Sequence, residues 1–326
     1  MKKILVTNEI KGIVKDYALK LMKEEPLNSL RHLQSHLSRD EFIYVDRIVS
    51  FLPAILEMLP WDYDNFHSNN FAEFDAGEKI INLSRPLSYS KPGCKSKVEP
   101  LYMHIVNALQ YDVVQQKIFP ECVRKMGIRA CVYCDAQYAV SAKKGKTDRS
   151  SVYRSTFNLD HWKPKNHFPY LAVAFYNLYP CCAACNQAKS YTAKDWCMYA
   201  KAGEVVNPYK FRLDDMSLLN YLLSWDAEQL RIDFVDKTTK LVPDYDEDFH
   251  IQKLYNNFKT EAEEVIWRKR IYNVNMVEAM KQSGIYDIKP ADVNRFIIGN
   301  YDREEDILKR PLAKLIQDIA RQLGLI

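Results

Sequence analysis

The chain has 326 residues, 47% hydrophobic and 27% charged, an ordinary globular composition that excludes a disordered polymer. Nine glycines are few against a usual share of about 7%, which excludes a turn-dense all-β architecture and points to a helical majority. Lys and Arg number 46 against 42 Asp and Glu, yet in residues 124–190 eleven basic side chains face three acids, so positive charge is concentrated where a polyanion would bind. At about 150 residues per domain the length suggests about two folded units. No run of about 18 apolar residues is present, so no membrane span is expected. The start, MKKILVTNEIKG, holds only three consecutive apolar residues, too few for a signal-peptide core, and a cytosolic chain is expected.

Residues 11–60 carry helical periodicity: Ile13, Val14, Tyr17 and Leu21, then Leu27, Leu30, Leu33 and Leu37, then Phe42 to Leu59. Pro53 is expected to kink or break the third of these helices, because its ring nitrogen has no hydrogen to donate. Residues 61–97 are rich in Asn, Ser, Asp, Pro and Gly and read as a long irregular insert, with the strongest loop signal at 88–97. A further helix is expected over 99–119, after which Pro120 opens the next segment. Residues 1–122 thus form an N-terminal helical region that either cradles the central segment or binds a partner.

Eight cysteines are present. Cys131-Val-Tyr-Cys134 and Cys182-Ala-Ala-Cys185 are two Cys-x-x-Cys pairs, and in a reducing compartment such pairs read as metal ligands. Two-residue spacing lets a short knuckle aim both thiolates at one tetrahedral ion, with Zn–S about 2.3 Å. A structural Zn2+ on Cys131, Cys134, Cys182 and Cys185 is predicted. Cys94, Cys122 and Cys197 stay outside it, as does Cys181, whose spacing to Cys185 is one residue too wide. Such an ion contributes on the order of 10–16 kcal/mol in small zinc peptides, so the segment between the knuckles can be small, irregular and rigid.

Between the knuckles, residues 136–142 and 151–159 read as strands, joined by a polar tip at 143–149 that is either a phosphate contact or a solvated turn. The second strand ends in Asp160-His161, and Asn177 lies sixteen positions after the histidine. From Ala183 a stretch without Gly or Pro reads as a helix, with Asn186 directly after the last cysteine. Zinc would fix the start of this helix against the hairpin and hold Asn186 opposite Asp160. A hard divalent ion, Mg2+ or else Mn2+, takes oxygen ligands and keeps several waters. Asp160 offers a carboxylate and Asn186 an amide carbonyl. The ion neutralises a phosphoryl group and stabilises the leaving oxygen. Neutral His161 takes a proton from the attacking water, a role worth about 10²–10⁴-fold. Asn177 reads as the tie of the loop that orients the imidazole. Lys163, Lys165 and Lys189 read as contacts to neighbouring phosphates, and His167 as a surface residue.

Asn207-Pro208 marks a boundary, which sets the central segment at 123–205 and a mainly helical C-terminal region at 206–326. Residues 213–225 read as a helix and 229–236 as a strand, with a turn at 238–240 and a return at 241–242. Residues 246–282 lack Pro and Gly and read as a long helix broken near Asn256-Asn257; a last helix is expected over 303–323. The fold class is mostly α with a small α+β core.

The order Cys131-x-x-Cys134, Asp160-His161, Asn177, Cys182-x-x-Cys185-Asn186-x-x-Lys189 resembles the HNH endonucleases with a ββα-metal fold. The resemblance implies a zinc-stapled ββα-metal nuclease segment flanked by helical regions, with DNA as substrate. It implies His161 as general base, Asn177 as loop support, and Asp160 and Asn186 as ligands of the catalytic ion. His161-Trp-Lys-Pro164-Lys165, Pro169-Tyr-Leu171 and Asn177-Leu178 are similar to the HNH subgroup found with Septu and retron anti-phage systems. Val206-Asn207-Pro208, and Leu254-Tyr-Asn256 with Arg268, are similar to elements downstream in that subgroup. This implies a host-defence effector working with an ATPase partner. The close likeness covers residues 129–210 and thins toward 270. Two rival readings stay open: a non-catalytic zinc-knuckle module that binds DNA or RNA, and an RNase on the same scaffold. A pure binding module needs the thiols but not Asp160, His161 and Asn186.

Overall fold

Side-chain oxygens open the first helices of the computed structural model. Thr7 Oγ1 accepts from the Ile10 amide at the start of helix Asn8–Met22, and the Glu41 carboxylate reaches back to the Ser38 amide in a capping box before helix Arg39–Glu57. With helix Pro26–Gln34 between them they bury Tyr17, Leu21, Leu30, Leu33, Ile48 and Leu52 completely. Pro53 does not break the third helix. It sits on the exposed face while Leu52, Ile55 and Leu56 are fully buried, so core packing carries the backbone past the missing donor. The structure describes residues 1–76, 79–91, 93–144, 152–189, 196–237, 243–283, 289 and 292–326.

Residues 61–97 are more regular than their polar composition implies. Helix Tyr63–Asn70 and the antiparallel pair Pro86–Tyr89 and Lys97–Pro100 form there. The cause is aromatic: Phe71 and Phe74 pack on Tyr44, and Phe71 stacks on Tyr170 with ring centres 4.1 Å apart. The helix expected over 99–119 is divided. Leu101–Ala108 stops before Gln110, which is left-handed at φ 63°; the short turn Tyr111–Val113 then runs through a π-turn, Val114–Ile118, into helix Phe119–Lys125. Pro120 lies in the first turn of that helix, where a missing amide hydrogen costs little, so it starts a helix and does not open the zinc segment.

The central segment holds two antiparallel pairs. Ser141–Lys144 pairs with Val152–Ser155, both shorter than expected, and residues 145–149 of the expected tip lie outside the described residues. Asn158–His161 is a separate strand paired with Leu178–Cys181, with Asp160 opposite Tyr179 and His161 opposite Leu178. Pro180 hides the second of these strands in the sequence, but a two-stranded ladder has an outer edge on which proline is tolerated. Helix Ala183–Lys189 comes at once after it, giving strand, strand, helix in order. The chain start is tied in as well, since Ile4–Leu5 pairs in parallel with Tyr199–Ala200.

In the C-terminal region Tyr209–Leu213 and Ile232–Asp236 pair antiparallel around helix Asp215–Ser224, which Asp214 caps. The strand expected at 229–236 therefore finds its partner upstream; the turn and return expected at 238–242 lie outside the described residues. The long helix expected over 246–282 is four: Pro243–Phe249, Ile251–Tyr255, Lys259–Ile271 and Val274–Ser283. Its break at Asn256 is held by that side chain, which accepts from the Ile232 amide and donates to the Ile232 carbonyl. A second break falls at left-handed His250. The last expected helix is a 3₁₀ stretch, Glu304–Lys309, then Ala313–Gln322 beyond Pro311 and left-handed Leu312. The buried apolar residues join in one cluster from Met1 to Leu325, so all three regions share a core. Among the described residues no helix is long and apolar enough to cross a membrane.

Candidate metal centre and adjoining cleft

Asp135, directly after Cys134, takes a left-handed φ of 54°, and its amide donates to the Cys131 carbonyl at 2.8 Å. Asp tolerates this conformation better than most residues, and it folds Cys131-Val-Tyr-Cys134 into a knuckle. The C-terminal region grips that knuckle. Leu312 donates its amide to the Asp135 carbonyl, and the Tyr245 and Tyr255 hydroxyls donate to the carbonyls of Tyr133 and Cys134 at 2.8 and 2.6 Å. The second knuckle is the start of helix Ala183–Lys189, and its Cys182 amide donates to Cys131 Sγ at 3.3 Å.

The sulfurs of Cys131, Cys134, Cys182 and Cys185 lie within 4.8 Å of one another, and all four residues are buried. A tetrahedral zinc with bonds of about 2.3 Å sets its sulfurs about 3.8 Å apart; Cys134 and Cys182 stand at 3.9 Å. Hydrogen bonds among the thiols, that of Cys131 foremost, push Cys134 and Cys185 up and hold Cys182 down. Four thiolates could share this space only around a cation. The donor set fits a structural metal such as zinc, with Cys94, Cys122, Cys181 and Cys197 outside it.

Asp160, His161 and Asn186 line one cleft of about 610 Å³. Strand Asn158–His161 delivers the first two and helix Ala183–Lys189 the third. The facing wall is N-terminal, with Val106, Tyr111, Asp112 and Gln115. Asp160 Oδ2 accepts from the Tyr133 hydroxyl at 2.5 Å and from the Lys189 ammonium at 2.6 Å. Lys189 also donates to the His161 carbonyl at 2.6 Å. His161 Nε2 lies 3.0 Å from the Ala172 carbonyl. A carbonyl only accepts, so Nε2 carries the proton and the lone pair of the neutral ring is on Nδ1. Burial pushes His161 down to about 3, and the Lys165 and Lys189 ammoniums add to it. The imidazole is thus neutral near pH 7, with the Tyr111 ring 5.0 Å away.

Asn177 is fully buried and does not line the cleft. Its Oδ1 accepts from the Lys163 amide at 2.7 Å, and its Nδ2 donates to the carbonyls of Lys163 and Leu171 at 3.1 and 2.9 Å. It fastens the loop between the two strands one residue from Ala172, whose carbonyl orients His161. Lys165 lines the cleft, its ammonium 5.1 Å from the centre of the Tyr111 ring, and has no ion pair among the described residues. The other two lysines expected at phosphates are committed elsewhere: Lys163 pairs with Asp64 at 2.7 Å, and Lys189, 3% exposed, with Asp160. His167 is exposed.

Three residues of the cleft, Tyr111, Asp112 and Gln115, and the buried Tyr133 that holds Asp160 escape a reading of the sequence. Tyr133 carries a signal, because it lies inside the first knuckle and is fixed wherever the thiols are. The other three arrive from an upstream helical stretch with no motif. Comparison with protein-family models, with curated proteins and with solved structures finds no match for this chain.

Proposed function

We propose that the protein is a metal-dependent endonuclease of the HNH type that hydrolyses phosphodiester bonds of DNA. One observation carries this reading: an imidazole with a free lone pair, a carboxylate and an amide oxygen line a single cleft, and the helix that brings the amide starts at the four clustered thiols. In this reading His161 Nδ1 takes the proton of the water that attacks phosphorus, while the Ala172 carbonyl holds the ring and keeps Nε2 protonated. Lys165 meets the non-bridging oxygens with the one cleft cation that no described carboxylate already claims. Asp160 and Asn186 would hold Mg2+ or Mn2+, an ion that neutralises the phosphoryl group and stabilises the leaving oxygen. One carboxylate and one amide oxygen suit such an ion, which takes its other ligands from water and substrate. Tyr133 and Lys189 preset the carboxylate, and zinc on the four cysteines holds both supporting elements. The basic excess of residues 124–190 favours nucleic acid as substrate. A host-defence role and an ATPase partner rest on the family resemblance alone.

The test is divalent-dependent nicking of supercoiled plasmid by wild type and by His161→Ala, with labelled duplex DNA, single-stranded DNA and RNA in parallel. Wild type is expected to nick only with a divalent ion, and His161→Ala to lose about 10²–10⁴-fold. Equal cleavage by both removes His161 from the mechanism. Tight binding without cleavage by either favours the zinc-knuckle binding module, and a preference for RNA moves the substrate to RNA.

A further inference from the structure

A second concave surface, of about 770 Å³, lies on the other side of the cleft's N-terminal wall. Six cations surround it: Lys20 and Lys23 from the end of the first helix, Lys117, Arg124 and Lys125 around helix Phe119–Lys125, and Lys143 from strand Ser141–Lys144. Among the described residues its acids are Glu24 and Glu121, and Ile118 and Tyr153 are the uncharged members of its lining. Glu121 pairs with Lys20 at 2.7 Å and with Lys125 at 3.4 Å. Lys23, Lys117 and Arg124 have no ion pair among the described residues. Three cations drawn from separate elements and left unbalanced around one groove repel one another, and an extended polyanion relieves that repulsion.

Two stretches of chain link the groove to the cleft. The run Tyr111–Ile118 is the partition, giving Tyr111, Asp112 and Gln115 to the cleft and Lys117 and Ile118 to the groove. Strand Val152–Ser155 supplies Tyr153 to the groove and leads within a few residues to Asp160 and His161. A lining in which eight of ten residues are charged positions phosphates and reads no bases.

We infer that this groove docks the phosphate backbone of the nucleic acid on one side of the scissile bond, independently of sequence. The inference rests on the nuclease reading for which bond is cut, but not for binding itself. The experiment compares wild type with the triple variant Lys23→Ala, Lys117→Ala, Arg124→Ala, and with a charge-keeping variant, Lys23→Arg, Lys117→Arg, Arg124→Lys. Binding of labelled duplex DNA is followed by fluorescence anisotropy across a salt series without added divalent ions, with duplex RNA and polyglutamate as further arms. Each lost phosphate contact flattens the salt dependence by about 0.9 in the logarithmic slope, so over 50 to 200 mM salt wild type should lose about 40-fold more affinity than the alanine triple. The charge-keeping variant should bind as wild type does, which shows that the loss is of charge and not of folding. An alanine triple with wild-type affinity and slope overturns the inference. So does polyglutamate binding as tightly as DNA, which would make the groove a site for an acidic protein. The DNA and RNA arms identify which backbone it prefers. If wild type never cleaves but the triple variant loses binding, the groove stands and the nuclease reading falls. If wild type cleaves and the triple binds and cleaves equally well, the reverse holds.

Discussion

The helix Ala183–Lys189 is held at its two ends by different physics. At its start Cys182 and Cys185 join Cys131 and Cys134 in a buried cluster within 4.8 Å. At its end Lys189 pairs with Asp160 at 2.6 Å, with 1% and 11% of the two side chains exposed. Seven residues are too few for a helix stable by itself, so these anchors define it. Coordination by four thiolates fixes geometry outright and adds folding free energy. A buried ion pair does neither: taking its charges out of water costs several kcal/mol each, and it holds only while both partners remain. With a metal bound, the thiol end would decide whether the segment folds, and the ion-pair end where the carboxylate points.

The strongest way to break this contrast is to remove the metal. Structural zinc contributes roughly 10–16 kcal/mol in small peptides, against about 5–15 kcal/mol for the whole stability of a typical domain. Chelation or Cys182→Ser is expected to abolish the cooperative melting of the central segment and to open it to protease. Cys181→Ser, one residue away but outside the cluster, is expected to keep its metal. Metal content by a chromogenic chelator and melting by calorimetry read both variants. Unchanged melting after complete metal removal would end the idea that the thiols govern folding.

The two ends also differ in how far they can be read from the sequence. Two-residue spacing is a local statement of geometry, so Cys131, Cys134, Cys182 and Cys185 are legible without a structure. Through them so is the meeting of Asp160, His161 and Asn186, because a helix that starts at the metal has little freedom left. Lys189 is different. Three residues beyond Asn186 it reads as a contact to a phosphate, and no local pattern says that its ammonium crosses to the neighbouring strand. Lysine is almost never buried without a partner, and the partner lies 29 positions upstream. The facing wall of the cleft is hidden for a similar reason, since the bend at Gln110 that presents Tyr111 and Asp112 leaves no mark in apolar periodicity. In the insert, polar composition masks Phe71 and Phe74, two rings whose packing outweighs the residues around them.

The ion-pair end can be tested at a middle scale. Breaking a buried pair by removing one partner typically costs about 3–5 kcal/mol, because the other charge stays behind. Asp160→Ala should fall in that range, since Lys189, 3% exposed, loses the carboxylate it pairs with at 2.6 Å. Lys189→Met should cost less, because Asp160 opens toward the cleft and can recover water. The double variant Asp160→Leu, Lys189→Met removes both charges and should regain most of the loss. Urea midpoints at a constant slope measure each step. Losses that simply add would show that the two groups do not depend on one another.

Tyr133→Phe makes the smallest and sharpest change. Tyr133 lies inside the first knuckle, is fully buried, and donates to the same Asp160 oxygen that Lys189 holds. It is therefore the contact through which the thiol end reaches the carboxylate. The variant removes only the hydroxyl; the ring keeps its stack on Phe249 at 4.7 Å. A hydrogen bond to a charged group is worth about 1.5–3 kcal/mol, so stability should fall by that amount while metal content stays unchanged. Combined with Lys189→Met, its effect should differ from its effect alone, because two donors share one oxygen. A non-additive result means that the knuckle and the helix end clamp the carboxylate together. An additive one means that each holds it independently, and the two ends of the helix are then separate supports.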